Sequence, residues 1–227
     1  MDLQAACRAN KRVGPNGGRV MAVDDAQVIE KQDKAGVEAS ARQRLVAAAA
    51  RLFCRHGINA VGVDAVVAEA GTAKATLYKA FGSKEKLVEA VLEQEGRQWR
   101  DWFLSGLDAG EASPVERLRR IFPLLEDWFA QEHFYGCPFI NAVGEHDKSD
   151  DRLRSLTLDH KRSILARLED LAAQAGAQDP HCLSHQLCML MDGAIVVAMI
   201  SRDPGSARIA GDAAERLLAQ LPQLANY

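Results

Sequence analysis

Residues 41–92 read ARQRLVAAAARLFCRHGINAVGVDAVVAEAGTAKATLYKAFGSKEKLVEAVL, and this stretch decides the fold. Its first part, residues 42–56, repeats apolar side chains such as Leu45 and Phe53 at helical spacing. Such spacing predicts one face of an amphipathic helix. Gly57 follows directly and is suited to end that helix.

Two shorter helices are predicted behind the first. An apolar pattern runs from Val63 to Gly71, a residue that accepts the left-handed conformation a β-carbon opposes. A very short helix over 73–80 comes next, and Ser83 is suited to cap the helix that follows it. Two short helices joined by a tight glycine turn are typical of a helix-turn-helix, whose second helix lies in the DNA major groove.

The distribution of charge supports DNA binding by this stretch. Residues 42–86 hold eight Lys or Arg and three acids, an excess of about five positive charges, although the whole chain carries a net charge of -3. From 87 onward there are 14 basic and 22 acidic residues. A basic head on an acidic body directs DNA to one face of the molecule.

At residues 65–87 the sequence AVVAEAGTAKATLYKAFGSKEKL resembles the DNA-binding signature of TetR-type transcriptional regulators. The resemblance is specific, since several fixed spacings agree at once, and it covers about fifty residues. The matching positions are Val67-Ala68, Ala70-Gly71, Lys74, Thr76-Leu77-Tyr78, Phe81 and Ser83-Lys84-Glu85.

Three positions depart from that signature. Ala73 replaces the usual serine that caps the recognition helix, and we expect Thr72 to substitute for it. Gly62 stands where Thr or Ser usually caps the preceding helix and touches a phosphate. Lys79-Ala80 replaces the usual His-His pair.

The resemblance implies a set of DNA contacts on the head. Phosphate contacts are expected from Tyr78, Lys79 and Lys84, because lysines neutralise phosphates and release counterions. Base edges are expected to face short side chains that let the backbone approach the groove. The complete expected set is Gly62, Thr72, Lys74, Ala75, Thr76, Tyr78, Lys79 and Lys84.

The whole chain is expected to be all-α, with a three-helix DNA-binding head over 40–86 and a helical effector-binding and dimerisation body over 87–227. Residues 1–39 lack apolar periodicity and are interpreted as a disordered N-terminal arm. Its basic residues would suit the DNA minor groove, but an untethered tail or the product of a misplaced start codon is the favoured interpretation. Body helices are predicted over 83–107, 115–131 with a kink at Pro123, a short helix from Pro138, 152–175, 180–201 and 207–221, with a surface loop over 144–151.

The last two predicted helices suggest a homodimer. The helix over 180–201 is apolar on most sides, so that one side is free for a partner, and alanines of the final helix allow close approach. Four such helices would form the interface found across the resembled family, and a two-fold dimer matches a palindromic operator. We expect a charge at Ile195 or Leu217 to disrupt this interface.

Aromatic residues are concentrated in the first half of the body. At helical spacing they are usual core residues, but together with a proline kink they also suit a cavity for a small apolar effector. The expected pocket consists of Trp99, Trp102, Phe103, Phe122, Trp128, Phe139 and Asp192. Asp192 stands alone in an apolar helix and needs either a structural partner or a ligand.

Several other clusters of His, Cys and acidic residues could bind metal or react, but we favour an ordinary structural role for each. His181, Cys182, His185 and Cys188 have metal-ligand spacing but equally suit a polar helix start, so no metal or cofactor is expected. Cys137 is either a redox sensor or a thiol packed among aromatics. The loop Glu145-His146-Asp147 is expected to be solvated.

The sequence therefore predicts a cytoplasmic DNA-binding transcriptional regulator, a repressor released by a small apolar ligand. It lacks an apolar run of about 18 residues and a secretory signal, so no membrane association is expected. Alternatives are an effector-free or thiol-sensing regulator, or an enzyme using Cys137 or Cys182 with a histidine. No phosphate loop, paired-carboxylate motif or nucleophile elbow is present, so no catalytic residues are expected.

Overall fold

The computed structural model describes the backbone over 23–146 and 151–221, with side chains from Ser40 onward. The chain divides into two units, 1–39 and 40–227. In the first unit the described backbone is helical from Val23, not irregular as predicted. A helix extends readily once nucleated, because each further residue adds a hydrogen bond. The rest of the predicted arm lies outside the described residues.

Ten helices and no strand lie within the described residues, which confirms the all-α prediction. They are α1 (Val23–His56), α2 (Val63–Glu69), α3 (Lys74–Phe81), α4 (Lys84–Leu107), α5 (Pro114–Arg119), α6 (Ile121–Phe129), α7 (Pro138–Glu145), α8 (Asp151–Gln174), α9 (Pro180–Ser201) and α10 (Ser206–Leu218).

The second half of α1 forms the predicted three-helix head with α2 and α3. Leu45, Ala49 and Phe53 of α1 are buried in one apolar cluster with Val66 of α2 and Leu77 of α3. The helix pair α2–α3 is thereby held as a helix-turn-helix with the opposite side of α3 exposed. Burial of these side chains is the main stabilising contribution in so small a unit.

Two glycines end helices where the sequence predicted. Gly57 has a φ of +85° and donates its N–H to the carbonyl of Phe53 at 2.9 Å. Gly71 has a φ of +59° and donates to the carbonyl of Ala68 at 3.2 Å. Both conformations are strained for residues with a β-carbon, so glycine is what allows these two turns.

Helix α4 joins the head to the body. It begins as predicted behind Ser83, whose hydroxyl accepts the N–H of Lys86 at 3.3 Å. It buries Leu87 and Val91 beside the head and Phe103 near its other end. A helix of 24 residues is about 36 Å long, so α4 is a continuous rod between the two regions.

The predicted single helix over 115–131 is two helices, α5 and α6, separated at Arg120. Pro123 lies inside α6 rather than at the break. Its missing N–H leaves the carbonyl of Arg119 without the usual helical donor, and its ring crowds that carbonyl. The helix is therefore interrupted three to four residues before the proline. The sequence pattern predicted a kink at the proline itself and did not reveal this earlier position.

Helix α7 begins at Pro138 as predicted but extends into the segment predicted as the loop 144–151. Its last residue, Glu145, is not solvated freely. The Glu145 carboxylate accepts the backbone N–H of Asn59 at 3.0 Å, and the Glu145 carbonyl accepts the Asn59 side-chain amide at 2.7 Å. The end of α7 is thus tied to the α1–α2 turn, while residues 147–150 lie outside the described part.

Helices α8, α9 and α10 complete the body, and α9 is at its centre. It packs against α6, α8 and α10. In the described part, α9 is long and apolar enough to cross a membrane by length and composition alone. Its inner side, including Leu187 and Met191, is buried in the body, whereas Met189, Val197 and Ile200 on its outer side are exposed. We interpret α9 as a core helix that has one apolar side exposed to solvent.

Candidate functional site

Helix α3 presents the expected DNA-contact side chains to solvent. Leu77 is fully buried and anchors the helix to the head. Lys74, Ala75 and Tyr78 are exposed, and Thr76 is partly exposed. An anchored helix whose outer side carries short, basic and phenolic residues has the form that major-groove recognition requires.

The helix starts of the head carry no side-chain caps. Neither Gly62 at the start of α2 nor Ala73 at the start of α3 provides a capping hydrogen bond. Thr72 does not substitute, because its hydroxyl is buried without a hydrogen-bond partner. The first N–H groups of both helices are therefore left without a protein side chain, an arrangement suited to phosphate oxygens.

Two of the expected DNA-contact lysines are bonded within the head. Lys74 forms a salt bridge with Asp64 at 3.0 Å, and this hydrogen-bonded carboxylate raises the pKa of Lys74. The ammonium of Lys84 donates to the carbonyl of Ile58 at 2.6 Å. Because the Lys74–Asp64 pair is exposed, it is weak and exchanges readily for other partners.

A cavity lies in the body between α4, α6, α7, α8 and α9. Its volume is about 30 Å³, room for only a few water molecules. The wall combines aromatic, aliphatic and ionisable side chains: Glu95, Trp99, Trp128, Cys137, Pro138, Phe139, His160, Lys161, Ile164, Cys188, Met191, Asp192 and Ile195.

Four of the seven expected pocket residues line this cavity: Trp99, Trp128, Phe139 and Asp192. The other three do not. Trp102 is exposed, Phe103 is fully buried behind Trp99 with the two rings stacked at 4.7 Å, and Phe122 faces α10. Helical spacing identified the aromatic side of α4 but did not separate wall residues from the core behind them.

His160 is a wall residue that the sequence did not reveal. Its ring stacks on Phe139 with centroids 4.0 Å apart, and its Nδ1 lies 2.9 Å from a guanidinium nitrogen of Arg100. Because arginine only donates, Nδ1 accepts and the neutral ring carries its proton on Nε2. Burial, followed by the nearby charges of Arg100 and Lys161, lowers the pKa of His160 to about 3.

Asp192 has the structural partner expected for a lone acid in an apolar helix. Its carboxylate is hydrogen-bonded to the ammonium of Lys161 across the α8–α9 contact. Both side chains also line the cavity. Among the described wall residues Lys161 is the only lysine or arginine, and its ion pair with Asp192 already neutralises its charge.

Glu95 and Trp99 carry polar groups that no described residue satisfies. No hydrogen bond or ion pair joins the side chain of Glu95 to another residue within the described part, and burial raises the pKa of its carboxyl. The indole N–H of Trp99, one turn further along α4, is buried without an acceptor. Buried polar groups are normally paired, so the unpaired indole N–H, with the half-buried Glu95 carboxyl beside it, marks the wall near α4 as a place for a polar ligand group.

Three cysteines of the described part lie in surroundings that disfavour the reactive thiolate form. Burial raises the pKa of Cys54 and Cys188 to about 11, and it also raises that of Cys137. Such thiols remain protonated and are poor nucleophiles. Cys188 lines the cavity, whereas Cys182 is exposed, so the side chains of the metal-binding alternative do not point to one place. The described residues hold no group of three side chains that could bind a metal ion.

Comparison with known proteins agrees with this arrangement in both regions. Residues 45–91 match the model for bacterial regulatory proteins of the tetR family, and residues 114–214 match the tetracyclin repressor-like C-terminal domain. The chain belongs to the TetR family of transcriptional regulators. It is therefore a DNA-binding transcriptional regulator, as the motif predicted.

Individual curated relatives carry the names of DNA-binding regulators. The HTH-type transcriptional regulator BetI of Rhizobium meliloti is 27% identical over 173 residues, covering 75% of this chain and 84% of its own. The HTH-type transcriptional repressor KstR2 of Mycolicibacterium smegmatis is 36% identical over 88 residues, which covers 37% of this chain and 40% of its own.

Solved structures extend the likeness to the whole fold. SCO4454, a TetR-family transcriptional regulator from Streptomyces coelicolor, has a TM-score of 0.74 and 30% identity, covering 81% of this chain and 96% of its own. A TetR regulator from Chloroflexus aurantiacus has a TM-score of 0.72 with 23% identity, covering 81% of this chain and 96% of its own.

Proposed function

We propose that this regulator is a homodimeric repressor that leaves its operator when a small, largely apolar molecule enters the body cavity. The observation that carries the proposal is the continuous helix α4, which begins at the recognition helix and forms part of the cavity wall at Glu95 and Trp99. A change at the wall therefore acts on the element that positions the head. The protein is expected to work in the cytoplasm without catalysis or a cofactor.

The proposed DNA-contact surface is the outer side of α3 with the flanking helix starts. Lys74, Ala75 and Thr76 face base edges, while Tyr78, Lys79 and Lys84 reach phosphates. Gly62 and Thr72 bring backbone N–H groups close to the phosphate chain. On binding DNA, Lys74 would leave the carboxylate of Asp64 and Lys84 would leave the carbonyl of Ile58. Each ammonium would then donate to a DNA acceptor in place of a protein acceptor.

The proposed dimer uses the exposed outer sides of α9 and α10. Met189, Val197 and Ile200 on α9 and Ile209 on α10 are each at least half exposed. Large apolar side chains that gather on one surface mark an interface. A two-fold pair of such surfaces would place two heads about 34–36 Å apart, or a multiple of that, on a palindromic operator.

The size of the cavity explains how a ligand would act. About 30 Å³ is far less than a drug-sized molecule occupies, so the walls must separate on binding. A ligand that binds only the opened state shifts the population toward it. Two elements transmit the opening to the head: α4, and α7, which holds Phe139 on the wall and Glu145 at the α1–α2 turn.

Cysteine chemistry is the weaker alternative for the trigger. Burial raises the pKa of Cys137 and Cys188 at the cavity and of Cys54 at the neighbouring cleft, so these thiols form little of the thiolate that reacts with oxidants and electrophiles. We therefore favour ligand binding over thiol sensing. An effector-free regulator is the remaining alternative, and the test below separates the two.

The experiment first selects an operator from random duplexes and then screens apolar compounds. All three tryptophans, Trp99, Trp102 and Trp128, lie in the body, so fluorescence quenching reports binding there. A coupling of about 1–3 kcal/mol would weaken operator binding roughly 5- to 150-fold, and the operator should weaken ligand binding by the same factor. Quenching with unchanged operator affinity contradicts ligand release, and a broad screen without binders favours the effector-free alternative.

A further inference from the structure

The charge on the cavity wall is unbalanced. Three wall side chains carry formal charge: Glu95, Lys161 and Asp192. Lys161 and Asp192 neutralise each other through their ion pair. His160 is kept neutral by burial and by the guanidinium of Arg100, which lowers its pKa to about 3. One acid, Glu95, remains without a counter-charge.

Glu95 occupies the boundary between the inner cavity and an outer cleft. The cleft has a volume of about 290 Å³ and is lined by Ala50, Arg51, Cys54, Arg55, Glu95, His133 and Tyr135. Neither arginine of the cleft pairs with Glu95, and Arg51 is held by Glu69 at 2.8 Å. Glu95 thus borders both spaces, and its carboxylate is available to a ligand group at the boundary between them.

The rings beside Glu95 suit a positive charge. Trp99 lies one helical turn from Glu95 on α4, and Trp128 stands edge-on to it with ring centroids 5.5 Å apart. Trp99 already stacks on Phe103 with one side of its ring. A cation near an indole face is attracted by the electrons of the ring, and most strongly where water is excluded.

We propose that the effector is an organic amine: an apolar body that enters among Trp99, Trp128 and Phe139, with a protonated amino group held by Glu95. The assignment rests on the proposed function, in which this cavity is the effector site. The ammonium supplies the counter-charge that Glu95 lacks and donates to its oxygens. The apolar body occupies the space that opens between α4, α7 and α8.

An anionic effector fits the same wall less well. At the inner wall its carboxylate would have to displace Asp192 from Lys161, or His160 from Arg100, because those two groups already occupy the cations there. Either displacement leaves a half-buried polar group without its partner, and the free-energy cost of the unpaired group opposes binding. It would also place two negative charges in one small cavity together with Glu95.

Three probes of equal length and different head group test the proposal: phenylpropylamine, phenylpropanol and phenylpropanoate. Their affinities for the full chain are measured by isothermal titration calorimetry. We expect the amine to bind about ten- to hundredfold more tightly than the alcohol, the range for a hydrogen bond to a charged group. The isosteric variant Glu95→Gln should remove most of that difference and leave the affinity of the alcohol unchanged.

Glu93→Gln is the matched control, because Glu93 carries the same charge on the same helix but is exposed and lies 4.0 Å from Arg97. It should leave all three affinities unchanged. Tighter binding of the carboxylate, an amine affinity that Glu95→Gln does not change, or no binding by any probe would each overturn the amine assignment.

Operator binding measured in parallel separates this inference from the proposed function. If the amine binds through Glu95 but leaves operator affinity unchanged, the ligand class stands and ligand release is wrong. If other compounds release the operator while the amine does not bind, ligand release stands and the amine assignment is wrong.

Discussion

Lys84 is expected to serve both the head and the DNA. Its ammonium donates to the carbonyl of Ile58 at 2.6 Å, and phosphate oxygens would offer it an acceptor of higher charge. We expect Lys84→Ala to weaken binding to all DNA sequences and to reduce the slope of log affinity against log salt by about one. Titrations of operator and random duplex at several salt concentrations measure both effects.

Lys86→Ala is the control for this experiment. Lys86 follows on the same helix, but its ammonium pairs with Glu89 at 2.7 Å, and we expect its removal to leave the salt slope unchanged. An unchanged slope in Lys84→Ala would remove Lys84 from the phosphate contacts.

His160 is expected to make the fold acid-sensitive. The folded protein keeps His160 neutral, with a pKa of about 3, whereas the unfolded chain binds a proton below about 6.5. The free energy of unfolding therefore falls as the pH falls below 6.5, by up to about 1.4 kcal/mol per pH unit from this group. In His160→Gln, whose amide oxygen still accepts from Arg100, we expect a shallower dependence between pH 6.5 and 5.

Urea unfolding at a series of pH values measures this slope. His133→Gln removes an exposed histidine instead and should leave the slope close to that of the unaltered protein. Equal slopes for His160→Gln and the unaltered chain would show that His160 is not kept neutral by the fold.

Helix α7 is expected to couple the cavity to the head through its last residue. Glu145→Ala removes the acceptor for the Asn59 N–H, so that amide should exchange its hydrogen faster. Compounds that quench Trp99 should then have a smaller effect on operator affinity. The variant loses the contact between α7 and the α1–α2 turn, so only α4 still connects the cavity to the head. Hydrogen exchange and operator titration with and without such a compound measure the two effects.

Glu132→Ala, an exposed acid before α7, is the control and should change neither measurement. If Glu145→Ala speeds exchange at Asn59 but the effect of the compound on the operator persists in full, α4 alone carries the coupling.

Element ends were predictable because their signals are local. Gly57, Gly71 and Ser83 end or begin helices through their own backbone or side-chain chemistry, and each lies where the sequence predicted. Pairs distant in sequence were not predictable. Arg100 meets His160 sixty residues away, and Lys84 meets Ile58 across the head. Periodicity identifies an apolar side but not the neighbour against which it packs.

The same limit explains the pocket and the interface. Three aromatic residues lie close together on α4 but point in different directions. Trp99 lines the cavity, Trp102 is exposed and Phe103 is buried in the core. On α9, the sequence proposed Ile195 as an interface residue, but its side chain is 4% exposed and lines the cavity. A charge at Ile195 would therefore disturb the protomer itself, whereas Val197 lies on the open side.

At the scale of the whole molecule, the apolar surface of α9 and α10 predicts a dimer. Val197→Glu and Ile209→Glu place a charge on this surface, where residues are 51% and 72% exposed. We expect folded monomers with weaker operator binding, because an unpaired charge cannot be buried at the interface and each monomer holds one half-site. Sedimentation velocity at micromolar concentration and circular dichroism measure assembly and fold.

Leu158→Glu makes the same change at an exposed apolar residue of α8, outside the proposed interface, and should remain dimeric. A monomeric unaltered protein at micromolar concentration, or dimers that persist in both α9 and α10 variants, would contradict this interface.

The proposed interface on α9 would also make transcription depend on gene dosage. When dimers form from monomers in equilibrium, their number follows the square of the monomer concentration. Halving the cellular copy number would therefore remove about 60% of the operator-competent dimers near the dissociation midpoint, and about three quarters of them well below it. A cell would then derepress its target genes steeply on dilution by growth, even with no effector present. Dimerisation through the exposed side chains Met189, Val197, Ile200 and Ile209 would thereby link transcription to the abundance of the regulator itself.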